Sequence, residues 1–317
     1  MKRRSVLLFV LVLAVPMYAR NARLPKLRTV SSASLHAERI PNARARALHL
    51  LAQLRETEQR RVTPSAIVVN RSARALVLPA AGSVQGANGT FFRSDVTFAN
   101  YSEAEQAIGI MWLPNGDPEG FELIVIVLPE TSIVTAEDFV GEFLELQGLG
   151  SLIFLPLDPE AGDVDPDAAI DIYSRIWTPQ PNATGTVSQP FPGVEPEYMT
   201  NESDGVVLGL RQDAQYRTNY GLLNIAEDDL TFRLTVLAED NPDTEVTVTV
   251  PSLSMVQTGI PAGNHGLLSL SFEVTSVTTT DFTWVAYGTS TDNITGDGWV
   301  SIVANPWNDA QLDENGQ

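Results

Sequence analysis

The chain has 317 residues, no cysteine and a formal net charge of −19, which excludes disulfides, a thiol nucleophile and thiolate metal sites. The charge is unevenly divided: residues 1–76 hold 15 of the 20 basic residues and three of the 39 acids, so residues 77–317 carry five arginines against 36 acids. Such an acidic body repels nucleic acid and anionic lipid, and we expect no nucleic-acid partner.

Residues 1–19 have the features of a secretory signal peptide. Lys2, Arg3 and Arg4 precede an apolar run from Val6 to Val15, and the small residue Ala19 suits cleavage. The run is too short to span a bilayer comfortably, so we predict no integral membrane span after cleavage. The predicted location is secreted or cell-surface, or the periplasm of a Gram-negative cell that retains the protein.

Residues 20–76 form a basic leader. Asn42 is a candidate cap for a helix over residues 43–61, in which Leu48, Leu51 and Leu54 recur at helical spacing. Three roles are open for this segment: an amphipathic docking helix, a basic tether lying on the acidic body, or a mobile, solvated leader. The mobile leader is the favoured interpretation, and later removal of residues 20–76 is left open.

The rest of the chain is predicted to be two diverged copies of one unit, over residues 77–200 and 201–308, with a polar tail over 309–317. Residues 92–95 (FRSD) align with 216–219 (YRTN) at an offset of 124, which also aligns Asn100 with Asn224. Three further blocks align in the same order at smaller offsets: IVIVLP (124–129) with VTVTVP (246–251), GLGSLIF (148–154) with GLLSLSF (266–272), and NATG (182–185) with NITG (293–296). The falling offset indicates shorter loops in the second copy.

The local pattern within each copy predicts short strands. VTVTV (246–250) and SLSF (269–272) alternate with the period of a half-buried strand, whereas IVIVL (124–128) is typical of a strand buried on both faces. The one helical candidate in the body is residues 136–147, with one or two turns. We therefore predict an all-β protein of two tandem immunoglobulin-like or jelly-roll-type β-sandwich domains, after the signal peptide and a short helical leader.

Several of these stretches resemble a repeat unit of uncharacterised secreted bacterial β-sandwich proteins. They are GTFFRSDVTFAN (89–100), QYRTNYGLLN (215–224), GLGSLIF (148–154) and SRIWTPQPNATGT (174–186). The second copy departs from the pattern, with Val285-Ala286 where the first has Ser174-Arg175. The resemblance implies a sandwich fold and export, and it implies no activity and no catalytic residue.

Two features of the body are candidate sites. Arg93 and Arg217 occupy equivalent positions, where each could bind an anion or could tie down a loop; the structural role is favoured because both copies share it. An acidic insertion in the first copy places Glu160, Asp163, Asp165 and Asp167 close together in sequence. Alternating carboxylates can converge on calcium, which is therefore the candidate cofactor, although a solvated acidic loop is the simpler alternative.

Enzyme function has little support in the sequence. His265 is the single histidine after residue 49, so no Ser-His-Asp triad or histidine-rich metal site can be assembled in the body. Trp299, beside two glycines, is the best candidate for a carbohydrate-stacking aromatic. We predict a non-enzymatic exported or cell-surface protein for adhesion, matrix structure or ligand binding, with an extracellular protein or glycan as partner. The alternatives are a carbohydrate-binding module or glycoside hydrolase accessory protein, and a self-associating filament or surface-layer subunit.

Overall fold

The computed structural model of the chain describes residues 25–61, 75–86, 89–180, 184–195, 204–239, 242–276 and 283–304. The predicted signal peptide and polar tail lie outside these residues. No helix in the described part of the chain is long and apolar enough to cross a membrane. The predominance of strands confirms the prediction of an all-β protein.

The leader contributes three elements before the repeated strands begin. They are β1 (Arg28–Ser31), β2 (Glu38–Arg39) and the helix α1 (Ala43–Arg61). The first copy, called repeat 1 here, then contains β3 (Leu76–Gln85), β4 (Phe91–Asn100), β5 (Gln106–Pro114), β6 (Glu122–Leu128), β7 (Ser132–Ala136), β8 (Gly148–Leu157), β9 (Ile170–Pro179) and β10 (Thr186–Pro192). A single π-helical turn, Phe139–Phe143, lies within the predicted helical stretch.

The second copy, repeat 2, also has eight strands. They are β11 (Gly205–Gln212), β12 (Tyr216–Asn224), β13 (Leu230–Ala238), β14 (Thr244–Val250), β15 (Ser254–Gly259), β16 (Gly266–Val274), β17 (Trp284–Asp292) and β18 (Gly298–Ile302). They form two four-stranded sheets, in the orders β11-β16-β13-β14 and β15-β12-β17-β18. The corresponding strands of repeat 1 have the same neighbours, β3-β8-β5-β6 and β7-β4-β9-β10, so the strand order occurs twice.

The strand registers correct one detail of the alignment between repeats. Asp95 lies opposite Arg175 on the neighbouring strand in repeat 1, and its equivalent Asn219 lies opposite Thr289 in repeat 2. Arg175 therefore corresponds to Thr289 and not to Ala286, an error of three residues. The error has a simple cause. The alignment was anchored on the similar glycine turns that follow β9 and β17, but the chain between the paired residue and the turn is longer in repeat 1 than in repeat 2.

The repeats share a hydrophobic core, although a second apolar cluster lies within repeat 2 alone. β3 and β4 pair at one end, which joins the two sheets of repeat 1 into one ten-stranded sheet with β1 and β2. The core of repeat 1 also takes in buried side chains of repeat 2, namely Leu223, Ile225, Leu253, Met255, Val285 and Tyr287. The domain boundaries at 77–200 and 201–308 stay a prediction.

The leader is not a mobile, solvated segment over its described residues, so that interpretation was wrong. β1 pairs parallel with β7, and β2 pairs antiparallel with β6, so the leader extends both sheets of repeat 1. The helix begins at Ala43, directly after Asn42 as predicted. Its fully or nearly fully buried side chains include Ala47 and Leu50, which the sequence pattern had not singled out.

The position of α1 explains why the two copies differ in hydrophobic pattern. Met111, Leu123 and Ile153 share the outer face of the sheet β3-β8-β5-β6, yet each is at most 1% exposed, because α1 packs beside β6. The equivalent residues of repeat 2 are Thr235, Glu245 and Ser271, which no helix covers among the described residues. The outer face of this sheet is therefore apolar in repeat 1, where the helix covers it, and polar in repeat 2, where no described helix does.

Candidate functional site

A cleft of about 330 Å³ lies between the two repeats. One wall is the outer face of the sheet β15-β12-β17-β18 of repeat 2. The other wall comes from β3, β4, β8, β9 and β10 of repeat 1. Clefts between packed units are common ligand sites, and this volume is at the small end of the range of roughly 300–1,000 Å³ for such sites.

Strand alternation places polar side chains on the repeat 2 wall. Because cross-strand partners share a face, Arg217 lies beside Thr291, and Asn219 lies beside Thr289. Further along the same face, the Tyr287 hydroxyl donates a hydrogen bond to Oε1 of Gln257. Complete burial raises the pKa of Tyr287, so its phenol stays protonated and remains a donor.

The repeat 1 wall is mainly apolar. Its carbon-rich lining consists of Ala80, Val84, Phe92, Leu149, Ile176, Val187 and Phe191, with Gln85, Ser188 and Gln189 as the polar members. Gln85 is held in place because its side-chain amide donates to the carbonyl of Thr90 at 2.7 Å. The cleft therefore combines one amide- and hydroxyl-bearing wall with one apolar wall.

The equivalent face of repeat 1, on the sheet β7-β4-β9-β10, is built differently, and no described part of repeat 2 covers it at Tyr173. Tyr173 is the counterpart of Tyr287 and is 50% exposed, whereas Tyr287 is fully buried. Gly221 replaces Thr97 beside it, and a Cβ at Gly221 would overlap the Tyr287 ring. The smaller residue lets this tyrosine lie flat on the sheet, so that repeat 1 can pack against it.

Several contacts hold the walls of the cleft together. The rings of Phe191 and Tyr287 meet edge to face with centroids 5.8 Å apart. At the side of the cleft, the backbone N–H of Gln257 donates to Oδ1 of Asn115 at 2.7 Å. The backbone N–H of Gly116 donates to the carbonyl of Met255 at 2.9 Å. These bonds fix β15 against the β5–β6 turn of repeat 1.

The leader also spans the joint between repeats. Arg44 of α1 donates one hydrogen bond to the carbonyl of Pro118 in repeat 1, at 3.4 Å, and another to the carbonyl of Ser252 in repeat 2, at 2.7 Å. Both contacts are partly buried, and an arginine fork that bridges two carbonyls restricts movement between the segments that carry them. The cleft is therefore preformed in this structure.

The two equivalent arginines have different surroundings. Arg93 lies 3.5 Å from the Asp138 carboxylate and over the rings of Phe91 and Trp177, which is the structural role expected for it. Arg217 lines the cleft, and its Nη1 donates to Oδ1 of Asn293 at 2.7 Å. Equivalence in sequence therefore does not mean equivalence in environment.

The predicted calcium residues lie in the loop between β8 and β9, where the leader helix contacts them. Oδ1 of Asp163 accepts a hydrogen bond from the side chain of Gln53 at 3.0 Å and lies 3.6 Å from the Arg46 guanidinium. Asp165 accepts a hydrogen bond from the backbone N–H of Asp167 at 2.9 Å, which closes a local turn. Within the described ranges, no three histidine or carboxylate side chains are grouped as a metal would require.

The backbone of the same loop is ordered by hydrogen bonds, including those to Asp158. That carboxylate accepts from the N–H groups of Glu160 and Ala161, and these bonds lower its pKa. Arg46 also donates to the carbonyl of Gly162 at 2.6 Å. The structure thus brings Asp163 to the helix and leaves Glu160, the fourth predicted ligand, without a role at a shared site.

Trp299 is 37% exposed and lies away from the cleft lining. Its indole Nε1 donates to the carbonyl of Gly209 at 2.8 Å, and its ring meets Tyr216 edge to face. By contrast, Trp112 and Trp284 are buried in the core. Trp299 is consequently a half-covered surface aromatic fixed by its neighbours.

The side chains of the cleft suit binding. Its lining, which falls entirely within the described ranges, contains no Asp, Glu, His or Lys, and one arginine. This site was not predicted from the sequence because its lining comes from eight strands that are distant in sequence. The available signal was the replacement of Asp95 and Arg175 in repeat 1 by Asn219 and Thr289 in repeat 2, which requires the strand register to be recognised.

The chain matches no known family model and no curated protein. Among solved structures, a chain described as "Crystal Structure of Thermotoga maritima 1070" aligns with 33% of this chain and 96% of its own length, at 11% sequence identity and a TM-score of 0.28. A likeness at this level carries no argument about fold or function. The resemblance to secreted bacterial repeats stays an expectation.

Proposed function

We propose that this protein is a non-enzymatic, exported or cell-surface binding protein that holds a carbohydrate in the cleft between its repeats. One observation carries the proposal: a body with 36 acids and five arginines has a cleft lined by amides, hydroxyls, apolar side chains and one arginine, without a carboxylate. Attachment to an extracellular glycan would serve adhesion or matrix structure.

The polar wall has the donors and acceptors that sugar hydroxyls need. Each hydroxyl both donates and accepts, and the side-chain amides of Asn219 and Gln257 on this wall, with Gln189 on the opposite wall, offer both functions on one planar group. Thr289 and Thr291 add hydroxyls beside them. Such groups fix the orientation of a polar ligand without committing it to one charge state.

The apolar wall supports the same ligand class. The C–H face of a sugar ring is apolar, and it packs favourably against aromatic and aliphatic side chains such as those of Phe92, Ile176 and Val187. Acid–base hydrolysis of a glycoside requires a pair of carboxylates beside the scissile bond. The lining offers none, which favours binding over turnover at this site.

A glycan array followed by calorimetry on the hits tests the proposal. The variant Gln189→Ala/Asn219→Ala should bind a hit about 5- to 150-fold more weakly, since each of the two lost hydrogen bonds contributes about 0.5–1.5 kcal/mol. Thr235→Ala, on the outer face of the other sheet of repeat 2, is the matched control and should bind like the wild type. Unchanged affinity in the double variant would exclude the cleft, and hydrolysis of any hit would overturn the non-enzymatic assignment.

A self-associating surface subunit is the second candidate, and the edge strand β14 favours it. In repeat 1 the equivalent strand β6 is extended by β2 of the leader, whereas β14 has a neighbour on one side alone among the described strands. An open edge can accept a strand from another molecule. Light scattering over a concentration series tests this: Thr247→Pro should abolish growth in mass, and a strictly monomeric wild type would rule it out.

A further inference from the structure

Arg217 gives the cleft lining a positive charge that binding of a neutral sugar would not require. It is the one cation in the cleft lining, and the lining holds no anion. Three of the five arginines in residues 77–317 are ion-paired: Arg93 with Asp138, Arg211 with Asp213 and Arg233 with Glu273. Arg217 and Arg175 form no ion pair with a carboxylate among the described residues, and of these two only Arg217 lines the cleft.

The guanidinium is held so that it can meet a ligand. Nη1 of Arg217 donates to Oδ1 of Asn293, and the backbone N–H of Asn293 donates in turn to the carbonyl of Gln215 at 2.8 Å. Asn293 is therefore a positioning residue that fixes one end of the planar fork. The other N–H groups of the fork have no protein acceptor among the described residues, and an arginine fork matches the two oxygens of a carboxylate.

We infer that the ligand is an acidic carbohydrate, with a sugar-ring carboxylate bound by Arg217. This inference rests on the proposed carbohydrate-binding function and adds the substrate class, a uronic acid. The negative charge of the body does not prevent it, because charges beyond about 8 Å are largely screened at physiological ionic strength, whereas a direct contact is not.

The neutral residues next to Arg217 agree with this assignment. Asn219 and Thr289 stand where repeat 1 has Asp95 and Arg175, so these two positions of the binding face carry no charge in repeat 2. Thr291 and Asn219 can hydrogen-bond the hydroxyls that flank a ring carboxylate. A sulfate group could also meet the fork with two of its oxygens, so the experiment includes a sulfated sugar as the competing anion.

The test compares oligouronates with their methyl esters, which keep the rings and remove the charge. Calorimetry on the full secreted chain would use oligomers of galacturonate, glucuronate, mannuronate and guluronate, each as acid and as ester, with a sulfated oligosaccharide alongside. We expect at least one acid to bind about 10- to 100-fold more tightly than its ester, the range for a charge-assisted contact. Arg217→Gln should reduce the affinity for the acid to about that for the ester, with a much smaller effect on the ester itself.

Two further variants sharpen the result. Asn293→Asp puts a carboxylate against Arg217 and should abolish the preference for the acid while the ester still binds. Arg233→Gln removes one positive charge from the other sheet of repeat 2 and should leave both affinities unchanged. Each variant is first shown to unfold at the wild-type temperature, so that a loss of binding cannot come from misfolding.

The outcomes separate this inference from the function on which it rests. If neutral or esterified sugars bind in the cleft as tightly as acids, the role of Arg217 is wrong and the proposed function stands. If the sulfated oligosaccharide binds best, the carboxylate assignment is wrong. If no sugar of any charge binds, both the inference and the proposed function are overturned.

Discussion

Phe191 of repeat 1 and Tyr287 of repeat 2 meet edge to face across the joint between the repeats, with ring centroids 5.8 Å apart. Both side chains are almost completely buried, and both border the cleft. The contact therefore links the stability of the two repeats to the shape of the candidate site.

Replacing Phe191 with alanine should destabilise the whole chain. Removal of a fully buried phenylalanine leaves a cavity and costs about 3–5 kcal/mol, measured as the free energy of unfolding in urea. Tyr173→Ala is the matched control, since Tyr173 is the half-exposed counterpart of Tyr287, and it should cost less than about 1 kcal/mol. Equal losses in both variants would show that the joint is not packed as described.

The alkaline stability of the protein should depend on Tyr287. Burial raises its pKa in the folded state, so the unfolded chain ionises first, near the ordinary value of about 10. Unfolding then releases a proton, and the free energy of unfolding falls as pH rises above about 10. Tyr220, whose pKa burial also raises, contributes in the same direction.

The check is urea unfolding at intervals from about pH 8 to 11, below and above the ordinary tyrosine pKa. Tyr287→Phe should flatten the decline above pH 10, although it starts from a lower stability because the hydrogen bond to Gln257 is lost. Tyr173→Phe, at the exposed equivalent position, should leave the slope unchanged. A slope that is the same in all three proteins would contradict the assignment.

Asn100 and Asn224 have the same structural role in the two repeats, as their alignment suggested. The side-chain amide of Asn100 donates to the carbonyls of Ala104 and Pro129, and that of Asn224 donates to those of Asp228, Val250 and Pro251. Each ties the turn after one strand to the end of another. We expect Asn100→Ala and Asn224→Ala each to cost about 1–3 kcal/mol, because buried carbonyls lose their donor.

Thermal and urea unfolding of the two asparagine variants would be compared with Thr258→Ala, an exposed change on β15. Losses of similar size in both asparagine variants, with little change in the control, support a shared role. A loss confined to one repeat would show that the second asparagine is dispensable.

These asparagines also show what could be predicted from the sequence. A side chain that closes a turn acts through local contacts, so the same residue type is kept at this position in both repeats. The two asparagines therefore allow the strands of one repeat to be matched with those of the other. The shared core could not be found in this way, because Tyr287 is buried by Phe191, a residue distant in sequence, and its counterpart Tyr173 is exposed. Whether a tyrosine in a strand is inside or outside depends on the partner packed against it.

The leader was misjudged for a similar reason. The spacing of Leu48, Leu51 and Leu54 correctly predicted a helix, but it carried no information about which surface the helix covers. That surface is assembled from Met111, Leu123 and Ile153 on three different strands. The apolar character of IVIVL (124–128), compared with VTVTV (246–250), was only a partial sign of this cover, because Val127 on the same outer face is 40% exposed and the strand is not buried on both faces throughout.

Weakening α1 should therefore destabilise repeat 1. Leu50 is 1% exposed in the core, and Leu50→Ala should cost about 2–5 kcal/mol. Ala52→Ser, an exposed change two residues along the same helix, should cost under about 0.5 kcal/mol. The measurement is urea unfolding, with binding of an apolar fluorescent dye as a second signal for the uncovered face. Equal stability of both variants would mean that the helix is not part of the core.

The acidic loop between β8 and β9 gives a prediction about calcium. Asp163 is already paired with Arg46 and Gln53 of the leader helix, so a metal would have to displace the guanidinium before it could use this carboxylate. We therefore expect the same melting temperature in about 1 mM calcium and in EDTA. Extracellular calcium modules are at least half-saturated at about 1 mM calcium. Asp163→Asn should lower the melting temperature slightly in both buffers, because a partly exposed ion pair contributes about 0–1 kcal/mol.

Asp171→Asn, outside this loop, is the control. A rise in melting temperature with calcium that disappears in Asp163→Asn would instead establish the metal site predicted from the sequence.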